Sequence, residues 1–236
     1  MNIPTYVITM IGESLSEQLA QECINSARQF GIAPEIFPAT HGDDIEKHFK
    51  EHDLKIFKKG QQRKEINPGL KGCLLSHLRL WKKCVELAKP IMIFEHDNIV
   101  LRDIPEILLE SFQEVLHLDF ASRQVTNYED FTKTYQGDGV QRWCPVMPKL
   151  SGHELYNKTH IKGSHAYIIT PLGATKMIDW VWNKGAMSPD LAMNRTAIDL
   201  QYTLTSFCRI NPRFWMENKK RSKNSFCRPK RYRNAI

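Results

Sequence analysis

No run of about eighteen apolar residues occurs in the 236-residue chain, so no segment reads as a bilayer-crossing helix. The N-terminus has neither a basic segment nor a long apolar core, so it does not read as a secretory signal, and a cytoplasmic chain is expected. The six cysteines (Cys23, Cys73, Cys84, Cys144, Cys208 and Cys227) include no C-x-x-C pair, a spacing that fits neither a zinc knuckle nor a disulfide framework. Asn157-Lys158-Thr159 and Asn194-Arg195-Thr196 match glycosylation acceptors, which mean nothing without secretion. Internal repeats are missing as well. What is present is ordinary for a soluble globular chain: 42% hydrophobic and 25% charged residues, enough for one large core.

Charge is unevenly placed. Residues 217–236 hold eight of the 33 Lys and Arg but one of the 26 acids, so the other 216 residues balance at 25 of each sign. The net charge of +7 therefore sits in the tail, where Lys219, Lys220, Arg221, Lys223, Arg228, Lys230, Arg231 and Arg233 are interleaved with Phe226 and Tyr232. Such a segment can attach to an anionic membrane at about 1 kcal/mol per basic residue, or it can be a solvated end that binds nothing specific. Nucleic acid as the partner predicts a basic stripe on the folded body, which the zero net charge of residues 1–216 does not favour. The domain reading is 1–216 as one α/β unit, with 217–236 as a basic C-terminal extension.

Element types alternate along the chain. Thr5–Thr9 reads as a strand, 16–30 as a helix ended by Gly31, and 34–38 as a second strand, a βαβ pattern that predicts a parallel sheet. Residues 43–66 are charged without a clean period and read as an exposed insertion. Asn67-Pro68 supplies an N-cap and a proline at the first helical position, opening a helix that runs to Ala88. Leu74, Leu78, Trp81, Val85 and Ala88 form its apolar stripe. Further strands are expected at 91–94, 115–120 and 166–169, a helix at 171–182, and long loops at 122–160.

The most telling segment is Pro90-Ile91-Met92-Ile93-Phe94-Glu95-His96-Asp97-Asn98. A short uncharged run reads as a strand buried on both faces, and it tolerates acids only where it emerges. The carboxyl ends of such strands are where open α/β sheets bind ligands. Glu95, His96 and Asp97 could hold a hard divalent cation beside phosphate oxygens, or could be a strand end turning into solvent.

Four segments in this order resemble glycosyltransferase family 25, the bacterial lipopolysaccharide and lipooligosaccharide sugar transferases. They are Tyr6-Val7-Ile8-Thr9, the run from Gly72 to Lys83 with Ser76 and His77, then Phe94-Glu95-His96-Asp97, and Gly163 to Ile169 with Gly173-Ala174 followed by Pro189-Asp190. The resemblance implies a GT-A type, Rossmann-like nucleotide-sugar-binding domain. It also implies inverting transfer of a hexose, galactose above all, from a UDP-sugar such as UDP-galactose or UDP-glucose. The acceptor would be a saccharide hydroxyl of a glycolipid or oligosaccharide.

Residue roles follow from that resemblance. Asp97 matches the last acid of the family's Glu-Asp-Asp segment and becomes the metal ligand. His96 stands where the family has an acid, which puts the ion in question and favours Mn²⁺ over Mg²⁺, since imidazole is the softer ligand. Glu95 would face ribose or support the ligands. Asp190, in the Pro-Asp segment, would be the base that takes the acceptor proton, with Asp199 as the second choice. Thr9, Met10 and Ile11 end the first strand, where uracil would sit by analogy with the fold. Ala39, Thr40 and His41 end the second strand, and Ser76, His77 and His165 complete the donor set. Trp143, Tyr135 and Tyr156 could form an acceptor platform. A metal-free form with a Lys or Arg clamping the phosphates stays open. So does a catalytically weak member that binds sugars or partners, and, from the tail, a nucleic-acid binder. The expected place is the cytoplasm, with the tail on the inner face of the membrane.

Overall fold

The computed structural model describes residues 3–42, 44–55, 68–119, 140–141, 163–194, 196–203 and 206–214. The basic tail from 217 on and the aromatics Tyr135, Trp143 and Tyr156 lie outside the described residues.

The chain begins with strand β1 (Thr5–Thr9), helix α1 (Ser14–Arg28) and strand β2 (Glu35–Pro38), and β2 pairs parallel to β1. Helix α3 (Pro68–Leu87) leads into β3 (Ile91–Glu95), which lies parallel to β1 on its other side. Strands β5 (Val115–His117), β6 (Val140–Gln141), β7 (Ala166–Ile169) and β8 (Leu200–Thr203) complete a sheet ordered β2-β1-β3-β7-β5-β8-β6. β7 runs against both β3 and β5, β8 lies parallel to β5, and β6 lies against β8. Five strands therefore share one direction, and their carboxyl ends form one edge. This is the α/β, Rossmann-like arrangement expected of a GT-A domain. A small second sheet pairs β4 (Asn98–Val100) with β9 (Cys208–Ile210), and the one-turn helix α4 (Ile107–Glu110) follows β4 along the chain.

Period-two alternation divides the core between the two faces. Val7, Met92, Phe94, Ala166, Ile168 and Leu116 pack with Ala20, Cys23, Ile24 and Ala27 of α1. Tyr6, Ile8, Ile91, Ile93, Val115, Tyr167 and Ile169 pack on the other face. Their partners there are Leu74, Leu78 and Trp81 of α3 and Met177, Ile178 and Val181 of α5 (Pro171–Lys184). Ile91 to Phe94 are wholly buried, as a strand covered on both faces requires. Each such side chain contributes about 1.5–3 kcal/mol on leaving water.

The helix ends follow their local chemistry. Pro171 occupies the first turn of α5, Thr170 Oγ1 accepts the Gly173 N–H at 3.2 Å, and Gly185 closes the helix at φ 100°. Pro68 opens α3, which ends before Pro90. Among the described helices none is long and apolar enough to cross a membrane.

Three expectations change. The charged 43–66 stretch is not all exposed insertion: α2 (Asp44–Glu51) buries Ile45 and Phe49, and Leu54 follows them into the core on the α3 side. Ile45 and Phe49 are four residues apart, so a single apolar stripe on an eight-residue helix suffices, too short for the charged background to reveal it. The 115–120 strand stops at His117: Leu118 still donates its N–H to the Ala166 carbonyl at 3.0 Å, but its own carbonyl turns to the N–H groups of Phe207 and Cys208. β4, β8 and β9, which had no clear sequence pattern, are set by tertiary pairing.

Candidate active site

The carboxyl edge of the sheet gathers the polar groups that the apolar strands cannot hold. Glu95 continues the Ile91–Ile93 face and so points towards α3. There Ser164 Oγ donates to Glu95 Oε1 at 2.5 Å, and His77 Nε2 stands 3.4 Å from the same oxygen. Behind His77, the Tyr167 hydroxyl lies 2.7 Å from His77 Nδ1 and accepts the Trp81 indole N–H at 2.9 Å. Burial by itself would raise the Glu95 carboxyl. The neighbouring His77, then the Ser164 hydroxyl and His165, outweigh it and hold the group well below the usual range, so Glu95 is ionised at neutral pH. Burial, relieved in part by Trp81, pushes the Tyr167 phenol well above its ordinary value, so it keeps its proton. This is a core tyrosine with a satisfied hydroxyl.

A second buried group adjoins the first. His165, whose carbonyl accepts the Glu95 N–H at 2.9 Å, places Nε2 2.8 Å from Asp119 Oδ2, and Ser206 Oγ donates to Asp119 Oδ1 at 3.1 Å. His117 Nε2 donates to the Gly163 carbonyl at 2.9 Å, while its Nδ1 accepts the Asp119 N–H at 3.3 Å. Burial first, and the neighbouring His165 second, push the His117 imidazole down to about 4, so it is neutral. Gly163 makes room for His165: at φ +90°, a Cβ there would stand 2.9 Å from His165 Nδ1.

The first two strand ends are tied together by α3. Ser76 Oγ donates to the Gly72 carbonyl at 2.7 Å and accepts the Thr40 N–H at 2.9 Å. Gly72 is required there, because a Cβ would collide with the Thr40 carbonyl. Thr9 is buried and its carbonyl accepts the Ala39 N–H at 2.8 Å, while half-buried Met10 bonds Ser16 Oγ at 2.9 Å. Ile11, 47% exposed, is the residue of this group that faces solvent. Arg79 reaches the Pro38 carbonyl at 3.0 Å and Thr40 Oγ1 at 3.1 Å, which puts a guanidinium at this edge that sequence reasoning did not single out.

His96 and Asp97 form the turn after β3. The His96 N–H donates to the Ile8 carbonyl at 3.1 Å, and its ring meets Phe214 edge-on at 6.2 Å. Asp97 is buried, and its carbonyl accepts the Asn211 N–H at 2.7 Å. Asn211 and Arg213 in turn bind Glu22 of α1 at 2.6 and 2.5 Å, pinning 211–214 beside the turn.

The expected Mn²⁺ or Mg²⁺ needs several oxygens converging on one point. Among the described residues, the group whose donor atoms converge is Cys73, His77 and Glu95, all within 4.8 Å of one another, and neither Asp97 nor His96 joins it. One thiol, one imidazole and one carboxylate do not fit a hard cation.

The two expected bases lie apart. Asp199 precedes β8 and donates its N–H to Glu114 Oε2 at 2.7 Å, on the row where Val115 pairs with Leu200 and Ile169. That is the edge where the parallel strands begin, about four residues of strand or roughly 13 Å from the Glu95 edge. A parallel β5–β8 pairing makes this unavoidable, and Asp199 is not brought to the site. Asp190 sits half-buried on the one-turn helix α6 (Pro189–Ala192), packed against α3 and α5. Among the described residues it makes no hydrogen bond or ion pair. Sequence reasoning missed Asp119, His117 and Cys73. The readable signals were polar residues ending an apolar strand at 115–119 and the four-residue spacing of Cys73 and His77 on one helix face.

Comparison with known proteins agrees with the family resemblance. The family described as "Glycosyltransferase family 25 (LPS biosynthesis protein)" matches residues 3–193. The lipooligosaccharide biosynthesis protein lex-1 of Haemophilus influenzae is 28% identical over 126 residues, which is 52% of this chain and 40% of that protein. The chain thus matches less than half of that relative's length. The apo crystal structure of mouse xyloside xylosyltransferase 1 aligns over 81% of this chain and 79% of its own at a TM-score of 0.36 and 9% identity, too distant to carry an argument.

Proposed function

The chain belongs to glycosyltransferase family 25, and from that premise we propose that it is an inverting hexosyltransferase. It would move a hexose, galactose above all, from a UDP-sugar to a saccharide hydroxyl in lipopolysaccharide or lipooligosaccharide assembly. The observation that carries this reading is Glu95, an ionised carboxylate held by Ser164 and His77 at the carboxyl edge of a mainly parallel sheet. Ligands of open α/β sheets bind at that edge.

In this reading the donor lies across the ends of β1, β2 and β3. Exposed Ile11 offers an apolar surface to the base, and Glu95 accepts hydrogen bonds from hydroxyls of the donor. Thr9, Thr40 and Ser76 act on the donor through the backbone they hold. Departure of the diphosphate requires positive charge at the leaving oxygen. Arg79 is a cation at that edge, in line with the metal-free form that the sequence left open. Single-step inversion requires a base opposite the leaving group, and the Asp190 carboxylate, without a partner among the described residues, is available for it. The basic tail would hold the enzyme on an anionic membrane, where a glycolipid acceptor resides.

A panel of UDP-sugars, read by hydrolysis and by thermal stabilisation with Mn²⁺, Mg²⁺ or EDTA, tests the proposal. UDP-galactose should give the largest shift. Absence of stabilisation by every UDP-sugar would sink it.

A further inference from the structure

We propose that Cys73, His77 and Glu95 form a binding site for a thiophilic divalent cation, Zn²⁺ by preference, with one coordination position left open. The inference stands on the geometry of these three side chains and does not depend on which sugar the enzyme moves.

Cys73 and His77 are four residues apart on α3, so they share one face and project to the same side. Glu95 meets them from the end of β3, and the three donor atoms lie within 4.8 Å of one another. The spacing of one pair is informative. His77 Nε2 and Glu95 Oε1 are 3.4 Å apart, longer than the 2.7–2.9 Å common for a charge-assisted hydrogen bond. Two ligands at about 2.05 and 2.1 Å from a tetrahedral Zn²⁺ would stand about 3.4 Å apart. His77 is wholly buried, and its Nε2 has no hydrogen-bond partner. A buried nitrogen left so is costly unless something binds it.

The remaining groups fit ligand support. His77 Nδ1 stands 2.7 Å from the Tyr167 hydroxyl, which Trp81 also holds, so the ring is fixed with Nε2 aimed at Glu95. Metal-bound imidazoles are oriented in this way through their second nitrogen. Ser164 fixes the carboxylate from its other side. Sulfur, nitrogen and oxygen donors together select Zn²⁺ over Mg²⁺ or Mn²⁺. Three protein ligands with an open fourth position are the pattern of a reactive rather than a purely structural zinc site. Cys73 is only partly buried, which leaves an entry path, and coordination releases its thiol proton to solvent.

The test uses the full chain without donor sugar. Protein is stripped with chelator, equilibrated with ZnCl₂, desalted and assayed for metal by mass spectrometry, with a parallel Co²⁺ sample read for thiolate-to-cobalt absorption. The expected result is one ion per chain with the thiolate band, loss of both in Cys73→Ser, and retention of both in Asp97→Asn. Tyr167→Phe should weaken affinity about 10- to 100-fold without abolishing the band. A wild-type chain that holds no zinc would overturn the proposal, leaving Nε2–H facing Glu95 directly. Retention of ion and band by Cys73→Ser would overturn it equally. Circular dichroism of each variant separates loss of ligand from loss of fold. Because the readout is bound metal, failure here leaves the sugar-transfer reading standing, and the reverse also holds.

Discussion

Tyr167→Phe removes one oxygen and leaves the ring's shape, yet that oxygen serves two buried groups. It lies 2.7 Å from His77 Nδ1 and 2.9 Å from Trp81 Nε1, and all three residues are wholly buried. No water can replace it without a cavity, so both nitrogens lose their partner. A buried polar group stripped of its hydrogen bond costs about 1–3 kcal/mol, which puts the loss of two such bonds at about 2–6 kcal/mol. For a domain of this size each kcal/mol shifts Tm by about 2–4 °C, so a fall of about 4–24 °C is expected. The measurement is urea unfolding followed by far-ultraviolet circular dichroism in excess EDTA, so that metal binding does not enter. A double-mutant cycle with Trp81→Phe isolates the shared hydroxyl, and the two changes should cost less together than their sum. A loss under about 0.5 kcal/mol, the size of an ordinary surface change, would refute the claim that this chain of groups is buried and mutually satisfied.

Other perturbations follow from single contacts. His117, whose pKa falls to about 4 in the fold, contributes stability that is complete above its unfolded value near 6.5 and is lost as pH drops from there towards 4, up to about 3 kcal/mol. His117→Gln keeps a donor for the Gly163 carbonyl and should flatten stability between pH 7 and 5; an unchanged slope would contradict the assignment. Gly72→Ala should be favourable by about 1 kcal/mol from helix propensity alone. The collision with the Thr40 carbonyl should reverse that sign by about 1–3 kcal/mol and weaken donor binding, both measurable by unfolding with and without UDP-sugar. Deleting residues 219–236 should reduce binding to anionic vesicles while sparing transfer to a soluble acceptor, and undiminished vesicle binding would remove the membrane reading. His96→Asp restores the family's acid in the turn after β3; a large gain in turnover would favour a natural chain that is catalytically weak.

The readable part of the fold came from elements whose own composition decides them. Ile91 to Phe94 could only be a strand covered on both faces, Pro68 could only open a helix, and Ala166 to Ile169 had the same apolar brevity. Period and punctuation sufficed there, because burial of one continuous run sets its conformation. α2 escaped notice because two apolar residues, Ile45 and Phe49, carry it, and charge hides so short a stripe. Phe207 to Ile210 gave no pattern either, since β9 exists only by pairing with β4 and by the anchoring of Asn211 and Arg213 on Glu22.

The site divides along the same line. By itself the sequence determined that acids follow a buried strand at 95–97, that the chain resembles one transferase family, and that its whole net charge lies in the last twenty residues. These are properties of residue order. The tertiary structure alone decided which of those acids meet which partners. Glu95 turns to His77 and Ser164, Asp97 stays outside that group, and Asp199 is carried to the far edge. Strand direction sorts these residues: one reversed strand, β7, brings Ser164 and His165 to the edge where Glu95 ends, while parallel β8 takes Asp199 away from it. Such pairings join residues tens of positions apart, and no local pattern encodes them.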